Sequence, residues 1–153
     1  MILYYLQAAA LFEQVIAVDP TYKQALFGFG LCKMKLEDYP EAINYLSKTI
    51  ELEKSYKEYT PWSALAHAFW SNGQKQDAID LLQKLIQMYP NIKFKTELAS
   101  YLIQLDMKNE ASNLLHEVLD AHKNSPGYVK RANSDWVKEA KRLLKIIEFR
   151  VRS

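Results

Sequence analysis

Four segments of this 153-residue chain share one pattern, which recurs about every 34 residues. Each pattern begins with an alanine, and a bulky apolar residue follows four positions later. The alanines are Ala8, Ala42, Ala78 and Ala111, and the bulky residues are Phe12, Leu46, Leu82 and Leu115. A chain that repeats at this period stacks copies of one small unit, because a single copy cannot bury its own apolar face.

A second pattern precedes three of these segments. It reads LFGFGLCK at 26–33, WSALAHAF at 62–69 and KTELASYL at 95–102. Its apolar positions recur at i, i+3, i+4 and i+7, which is the stripe of a half-buried helix. Each stripe contains one small residue, and these are Gly30, Ala66 and Ala99. We predict helix–turn–helix units in which the small residues allow two helices to cross closely.

These patterns resemble the tetratricopeptide repeat family. Residues 59–90 carry most of the family's marks, namely Trp62, Leu65, Ala66, Phe69, Gly73, Ala78 and Pro90. The fourth segment departs from the pattern, since Lys95 replaces the bulky residue and Asp106 replaces the turn glycine. The resemblance implies an all-α fold, a right-handed superhelical array of antiparallel helix pairs (an α-solenoid) with a C-terminal capping helix.

The repeat register also predicts how the chain is organised within a single domain. Residues 1–20 are the second helix of a truncated first repeat, and full repeats occupy 23–56, 59–90 and 92–123. A basic capping helix covers 128–153. The first helix lacks its partner helix, so we expect self-association through this edge.

The sequence offers no sign of catalysis. It contains no phosphate-binding glycine loop and no nucleophile elbow, and Cys32 is its single cysteine. The segment HEVLD at 116–120 has Asp120 where a metalloprotease helix needs its second histidine. We therefore expect a non-enzymatic protein without catalytic residues, metal or cofactor. No apolar run reaches the length of a membrane span, and a cytoplasmic location is favoured.

A binding groove is the remaining functional signal. In the family that the sequence resembles, the first helix of each repeat lines a concave face that holds an extended peptide or a helix of a partner protein. The corresponding residues are Phe27, Leu31, Met34, Ser63, His67, Trp70, Thr96, Ser100 and Ile103, with Lys93 at the rim. The alternative for Phe27, Leu31 and Trp70 is packing against neighbouring helices. We assign Trp62 and Trp136 to the core.

Two other functions stay open at this point. One is that the chain is a piece of a larger, membrane-anchored repeat protein of bacterial type, whose array serves its own complex. The other is weak binding of nucleic acid or an anionic surface through the basic end, because residues 130–153 contain eight Lys or Arg and only three Asp or Glu. Tyr128 is the only aromatic residue that the pattern places among these charges outside the packing face, and base stacking needs such residues. The sequence therefore disfavours a nucleic-acid partner and leaves an acidic protein or a membrane surface open.

Overall fold

The computed structural model describes the backbone of residues 1–152 and the side chains of residues 1–149. Every regular element in this part of the chain is a helix, which confirms the predicted all-α class. The helices are α1 (Ile2–Val18), α2 (Lys23–Lys35), α3 (Tyr39–Leu52), α4 (Thr60–Ser71), α5 (Lys75–Met88), α6 (Ile92–Gln104), α7 (Lys108–Lys123), α8 (Gly127–Ala132) and α9 (Ser134–Arg152). The predicted capping helix is therefore two helices, which Asn133 separates.

Helix contacts divide the chain into two compact units. The first unit is Met1–Leu81 and the second begins at Leu82, so the boundary lies inside α5. In the first unit α2 packs against α1 and α3, and α3 also packs against α4. In the second unit α6 packs against α7, and α9 packs against both. The repeat boundaries themselves remain a prediction from the sequence pattern.

Three short turns join the helix pairs in the same way. At the end of α2, α4 and α6 the chain takes a positive φ, at Glu37 (59°), Gly73 (82°) and Asp106 (60°). The next amide then donates to the carbonyl five residues before it, in the pairs Asp38–Lys33 (2.9 Å), Gln74–Phe69 (2.8 Å) and Met107–Leu102 (2.9 Å). This closure satisfies helix carbonyls, and glycine makes it without strain. A non-glycine residue in the left-handed region costs about 1–2 kcal/mol.

The small residues of the repeat pattern lie at buried positions between helices. A Cβ atom added to Gly30 would lie 2.9 Å from Cγ of Leu46, which is itself fully buried. Helix α2 therefore approaches α3 closely because residue 30 has no side chain. Ala66 and Ala99 are also fully buried, as are Ala42, Ala78 and Ala111. Ala8 differs, because it is only partly buried.

The two tryptophans assigned to the core have different environments. Trp62 is 3% exposed, and its Nε1 donates to the carbonyl oxygen of Lys54 at 2.9 Å. Trp136 is only partly buried, which corrects the prediction. The neighbouring Val137 is 4% exposed instead, on the buried stripe of α9 with Ala140, Leu143 and Ile147. The stripe of α9 thus begins one residue later than the sequence pattern indicated.

Candidate functional site

An open groove of about 990 Å³ lies on the first unit, among residues of α1, α2 and α4. Five of the residues predicted for the binding face line it: Phe27, Leu31, Met34, Ser63 and His67. The first three are spaced i, i+4 and i+7 on α2, and the other two are spaced i and i+4 on α4. This spacing places each set on one face of its helix. The structure thus brings these five side chains together.

The groove has a buried floor and exposed walls. Phe27 is 6% exposed and belongs to a core cluster with Ala42, Leu46 and Leu65. Its ring meets Tyr56 edge-on, with 5.9 Å between the centroids. Leu31, by contrast, is 38% exposed. Phe27 therefore supports the groove mainly as a core residue, which was the alternative that the sequence left open, and Leu31 is accessible to a partner.

Helix α1 supplies aromatic residues that the sequence-based prediction did not include. Tyr4, Tyr5 and Phe12 also line the groove, and Tyr4 is 66% exposed. A Cβ atom on Gly28 would lie 2.4 Å from Cζ of Phe12, so the Phe12 ring rests directly on the backbone of α2. The prediction missed these residues because it placed binding positions only on the first helix of each repeat. The apolar stripe of α1 was the available signal.

The rim of the groove carries charge. Lys35, Glu37 and Lys57 line it, and among the described residues neither ammonium group has a carboxylate within 4.0 Å. The Lys57 Nζ atom lies 5.4 Å from the centroid of the Phe27 ring. The groove thus combines an apolar floor with a rim of two lysines and one glutamate, which suits a segment that has both apolar and polar side chains.

An uncommon backbone segment holds Lys57 in this place. Lys57, Glu58 and Tyr59 have consecutive positive φ angles of 48°, 53° and 64°. Thr60 Oγ1 donates to the Lys57 carbonyl oxygen at 2.6 Å and so closes this turn before α4. Three left-handed residues in a row are costly for side chains with a Cβ atom. The turn before α4 therefore sets the position of Lys57 on the rim of the groove.

The groove lining includes the cysteine of the chain, but the environment of its thiol does not activate it. Cys32 is 6% exposed, and burial raises the pKa of its thiol. A raised pKa keeps the sulfur protonated at neutral pH, and the thiol form is a poor nucleophile. Cys32 therefore contributes to packing against Ala9 and Phe29.

The other predicted binding residues lie elsewhere. Trp70 does not line this groove, and the Lys75 Nζ atom lies 5.2 Å from its ring. Lys93, Thr96, Ser100 and Ile103 follow one face of α6 in the second unit.

Burial corrects the prediction for part of that α6 face. Thr96 is 1% exposed and Ile103 is 5% exposed, and the Thr96 hydroxyl donates to the Ile92 carbonyl oxygen at 2.8 Å. The Lys93 Nζ atom lies 5.7 Å from the ring of Trp136, which belongs to α9. Thr96 and Ile103 are therefore not accessible to a partner, whereas Lys93 and Ser100 are partly exposed.

The histidine considered for metal binding makes a local hydrogen bond. His116 Nδ1 lies 2.8 Å from the carbonyl oxygen of Ser112, so this nitrogen carries a proton and donates it. In the described part of the chain, no three His, Cys, Asp or Glu side chains come together as a metal site would require.

Among the described helices, none has the length and apolar character needed to cross a membrane.

One phenol in the second unit has a strongly shifted pKa. Burial, together with a smaller repulsion from the Glu97 carboxylate, raises the pKa of Tyr101 to about 12. The Tyr101 side chain therefore stays neutral throughout the neutral pH range.

Comparisons with known proteins agree with the helical repeat fold. Two family models, both for the tetratricopeptide repeat, match residues 5–66 and residues 63–91. The solved structure of a MamA RS-1 double mutant is similar, with a TM-score of 0.69 and 20% identity over 80% of this chain and 69% of that one. PcrH from Pseudomonas aeruginosa has a TM-score of 0.68 and 14% identity, over 82% of this chain and 91% of its own.

A third similar structure is that of YrrB, a TPR protein with an unusual peptide-binding site. Its TM-score is 0.63 at 18% identity, and the match covers 94% of this chain and 76% of YrrB. No curated protein sequence matches the chain at a significant level. At such low identities, the structural similarities show a common fold and nothing about ligands.

Proposed function

Because the chain belongs to the tetratricopeptide repeat family, we propose that it is a non-enzymatic scaffold or assembly factor that binds a partner protein in the groove of its first unit. The carrying observation is that residues predicted for binding from the repeat register line one groove with an apolar floor. The ligand is a helical or extended segment that places apolar side chains against Leu31, Met34 and Tyr4.

The size and lining of the groove support a peptide as the ligand. The groove is open to solvent, whereas small-molecule sites usually bury most of their ligand's surface. Leu31 and Tyr4 keep 38% and 66% of their surface exposed, so a partner can remove apolar area from water there. Ser63 and His67 of α4 also line the groove and add polar groups to its surface. YrrB, which shares the fold, is a protein with a peptide-binding site.

The groove can be tested with peptides selected against the purified chain from a random displayed library. We expect the selected peptides to be rich in apolar residues, and Leu31→Asp to weaken their binding by at least about 2 kcal/mol, because it places a charge in the apolar contact. The matched control is Leu52→Asp, which changes a leucine of similar exposure (45%) that does not line the groove. Fluorescence anisotropy with labelled peptides measures both affinities.

Two results would contradict the assignment. Equal weakening by Leu31→Asp and Leu52→Asp would show that the peptides do not occupy the groove. An affinity that neither variant changes would show the same. Trp70→Ala then defines how far the site extends. Trp70 is not in the groove lining, so we expect this change to leave affinity unaltered, and a large loss would extend the site along α4.

A second candidate function, self-association, rests on the exposed surface of α1. This helix has a single charged residue, Glu13, among its 17 residues. Leu11, Val15 and Val18 are exposed and do not line the peptide groove, and their spacing of four and three residues is that of the seam of paired helices. The opposite stripe, with Ala9 and Phe12, already packs against α2. We propose that the exposed stripe pairs with α1 of a second copy.

Light scattering coupled to size-exclusion chromatography tests this pairing over a wide range of protein concentration. We expect the chain to form dimers, and Leu11→Glu combined with Val15→Glu to shift it to monomer, because charges would replace apolar contacts at the seam. The control combines Leu52→Glu with Met88→Glu, which are comparably exposed at 45% and 44% and lie on other helices. A wild-type monomer at every concentration, or equal effects of the two double variants, would rule out the α1 seam.

A further inference from the structure

A shallow depression of about 320 Å³ lies where α7, α8 and α9 meet in the second unit. Seven residues line it, and all but Val137 have polar or charged side chains, although apolar atoms, such as those of the lysine stems, supply most of the lining surface. The polar residues are His122, Lys130, Arg131, Ser134, Lys138 and Lys141. Four cationic side chains and one hydroxyl group therefore surround a single small space, and no carboxylate lines it.

The carboxylates of the same region do not neutralise these cations. Glu139 accepts hydrogen bonds from the guanidinium group of Arg142, with 2.8 Å from Nε to Oε2, and this contact lowers the pKa of the Glu139 carboxyl. Asp135 is exposed and does not line the depression. Among the described residues, none of the four cations has a carboxylate within 4.0 Å. Like charges that line one depression repel one another, so a bound anion would stabilise the arrangement.

A buried nitrogen at the same place also lacks a partner. His122 Nδ1 is shielded from water and makes no hydrogen bond in the described structure. Buried polar atoms are nearly always paired, and an unpaired one costs free energy. In the tautomer that carries its proton on Nδ1, a small rotation of the imidazole would let this nitrogen donate to an anion in the depression. The unpaired nitrogen is therefore compatible with the anionic ligand that the charge cluster indicates.

We propose that this depression is a binding site for a compact phosphate-bearing anion with two or more negative charges. Phosphate oxygens match the fork of Arg131 and the ammonium groups of Lys130, Lys138 and Lys141. The space suits a phosphate or diphosphate group and offers no aromatic surface for a base, since Tyr128 is 70% exposed and does not line it. The site belongs to the second unit and does not depend on the peptide groove.

Isothermal titration with inorganic pyrophosphate, at fixed ionic strength, tests the proposal on the whole chain. We expect one saturable site in the wild type and about tenfold weaker binding when Lys138→Gln and Lys141→Gln are combined, because two charge-assisted contacts are lost. The control combines Lys54→Gln with Lys84→Gln, two exposed lysines outside the depression, which remove the same total charge. This control is expected to bind as the wild type does. Circular dichroism confirms that both variants are folded.

A second arm distinguishes the sources of the phosphate. Vesicles of phosphatidylcholine that contain a phosphoinositide bisphosphate are compared with vesicles that contain phosphatidylserine. Binding only to the former, with displacement by pyrophosphate, assigns the site to a lipid headgroup, and pyrophosphate binding without vesicle binding assigns it to a free phosphate compound. Either result supports the site.

Three results would overturn it. The first is the absence of saturable pyrophosphate binding to the wild type. The second is an equal loss in the two double variants, which would indicate diffuse attraction to a basic surface. The third is tight binding of a single-stranded oligonucleotide that pyrophosphate cannot displace, which would assign the surface to nucleic acid.

Discussion

Trp62→Ala is expected to lower the free energy of unfolding by about 3–5 kcal/mol, the range for removing a large aromatic side chain from a core. Trp62 is 3% exposed, and its indole nitrogen also holds the Lys54 carbonyl at the start of the turn before α4. The change therefore leaves a cavity and an unpaired carbonyl together. Urea unfolding followed by circular dichroism measures the loss.

Two further variants separate these contributions. Trp62→Phe keeps most of the volume but loses the hydrogen bond, and we expect it to cost about 1 kcal/mol beyond the change in packing. Trp70→Ala is the matched tryptophan control, since Trp70 is only partly buried and should cost less than Trp62. Equal destabilisation by the two alanine variants would mean that Trp62 is not the main anchor of α4.

Gly30→Leu is expected to destabilise the chain by about 1–3 kcal/mol through overpacking. Even the first added carbon would lie 2.9 Å from Cγ of Leu46, and Leu46 is fully buried with no room to move away. The better helix propensity of leucine returns only about 0.8 kcal/mol. Thermal unfolding should show a lower midpoint, and Ala66→Leu should behave similarly because Ala66 is also fully buried.

The control for overpacking is Ala121→Leu, an exposed position on α7. Surface substitutions of this kind usually change stability by less than about 0.5 kcal/mol. An unchanged midpoint for Gly30→Leu would show that α2 and α3 do not meet at residue 30, and the helix register would then need revision.

The sequence by itself determined the helical repeat. Apolar residues at i, i+3, i+4 and i+7 specify one buried stripe for each helix, and this local signal placed Leu26, Trp62 and Leu98 in the core. Small residues at fixed places in those stripes predicted the close crossings that Gly30 and Ala66 now show. Gly73, the turn glycine of the family pattern, takes the left-handed conformation after α4. Each of these features depends on residues within one or two helical turns.

Only the tertiary structure decided which face of each helix remains accessible. The predicted binding stripe has the same register on α2, α4 and α6. On α2 it leaves Leu31 exposed in a groove, and on α6, against which α9 packs, it buries Thr96 and Ile103. Contacts between different helices also place Tyr4 in the lining of the groove. They likewise bring His122 of α7 to the same depression as Lys130 and Lys138. A helical stripe buries its apolar side chains against whichever surface comes next to it, and that neighbour is not encoded in the stripe's own residues.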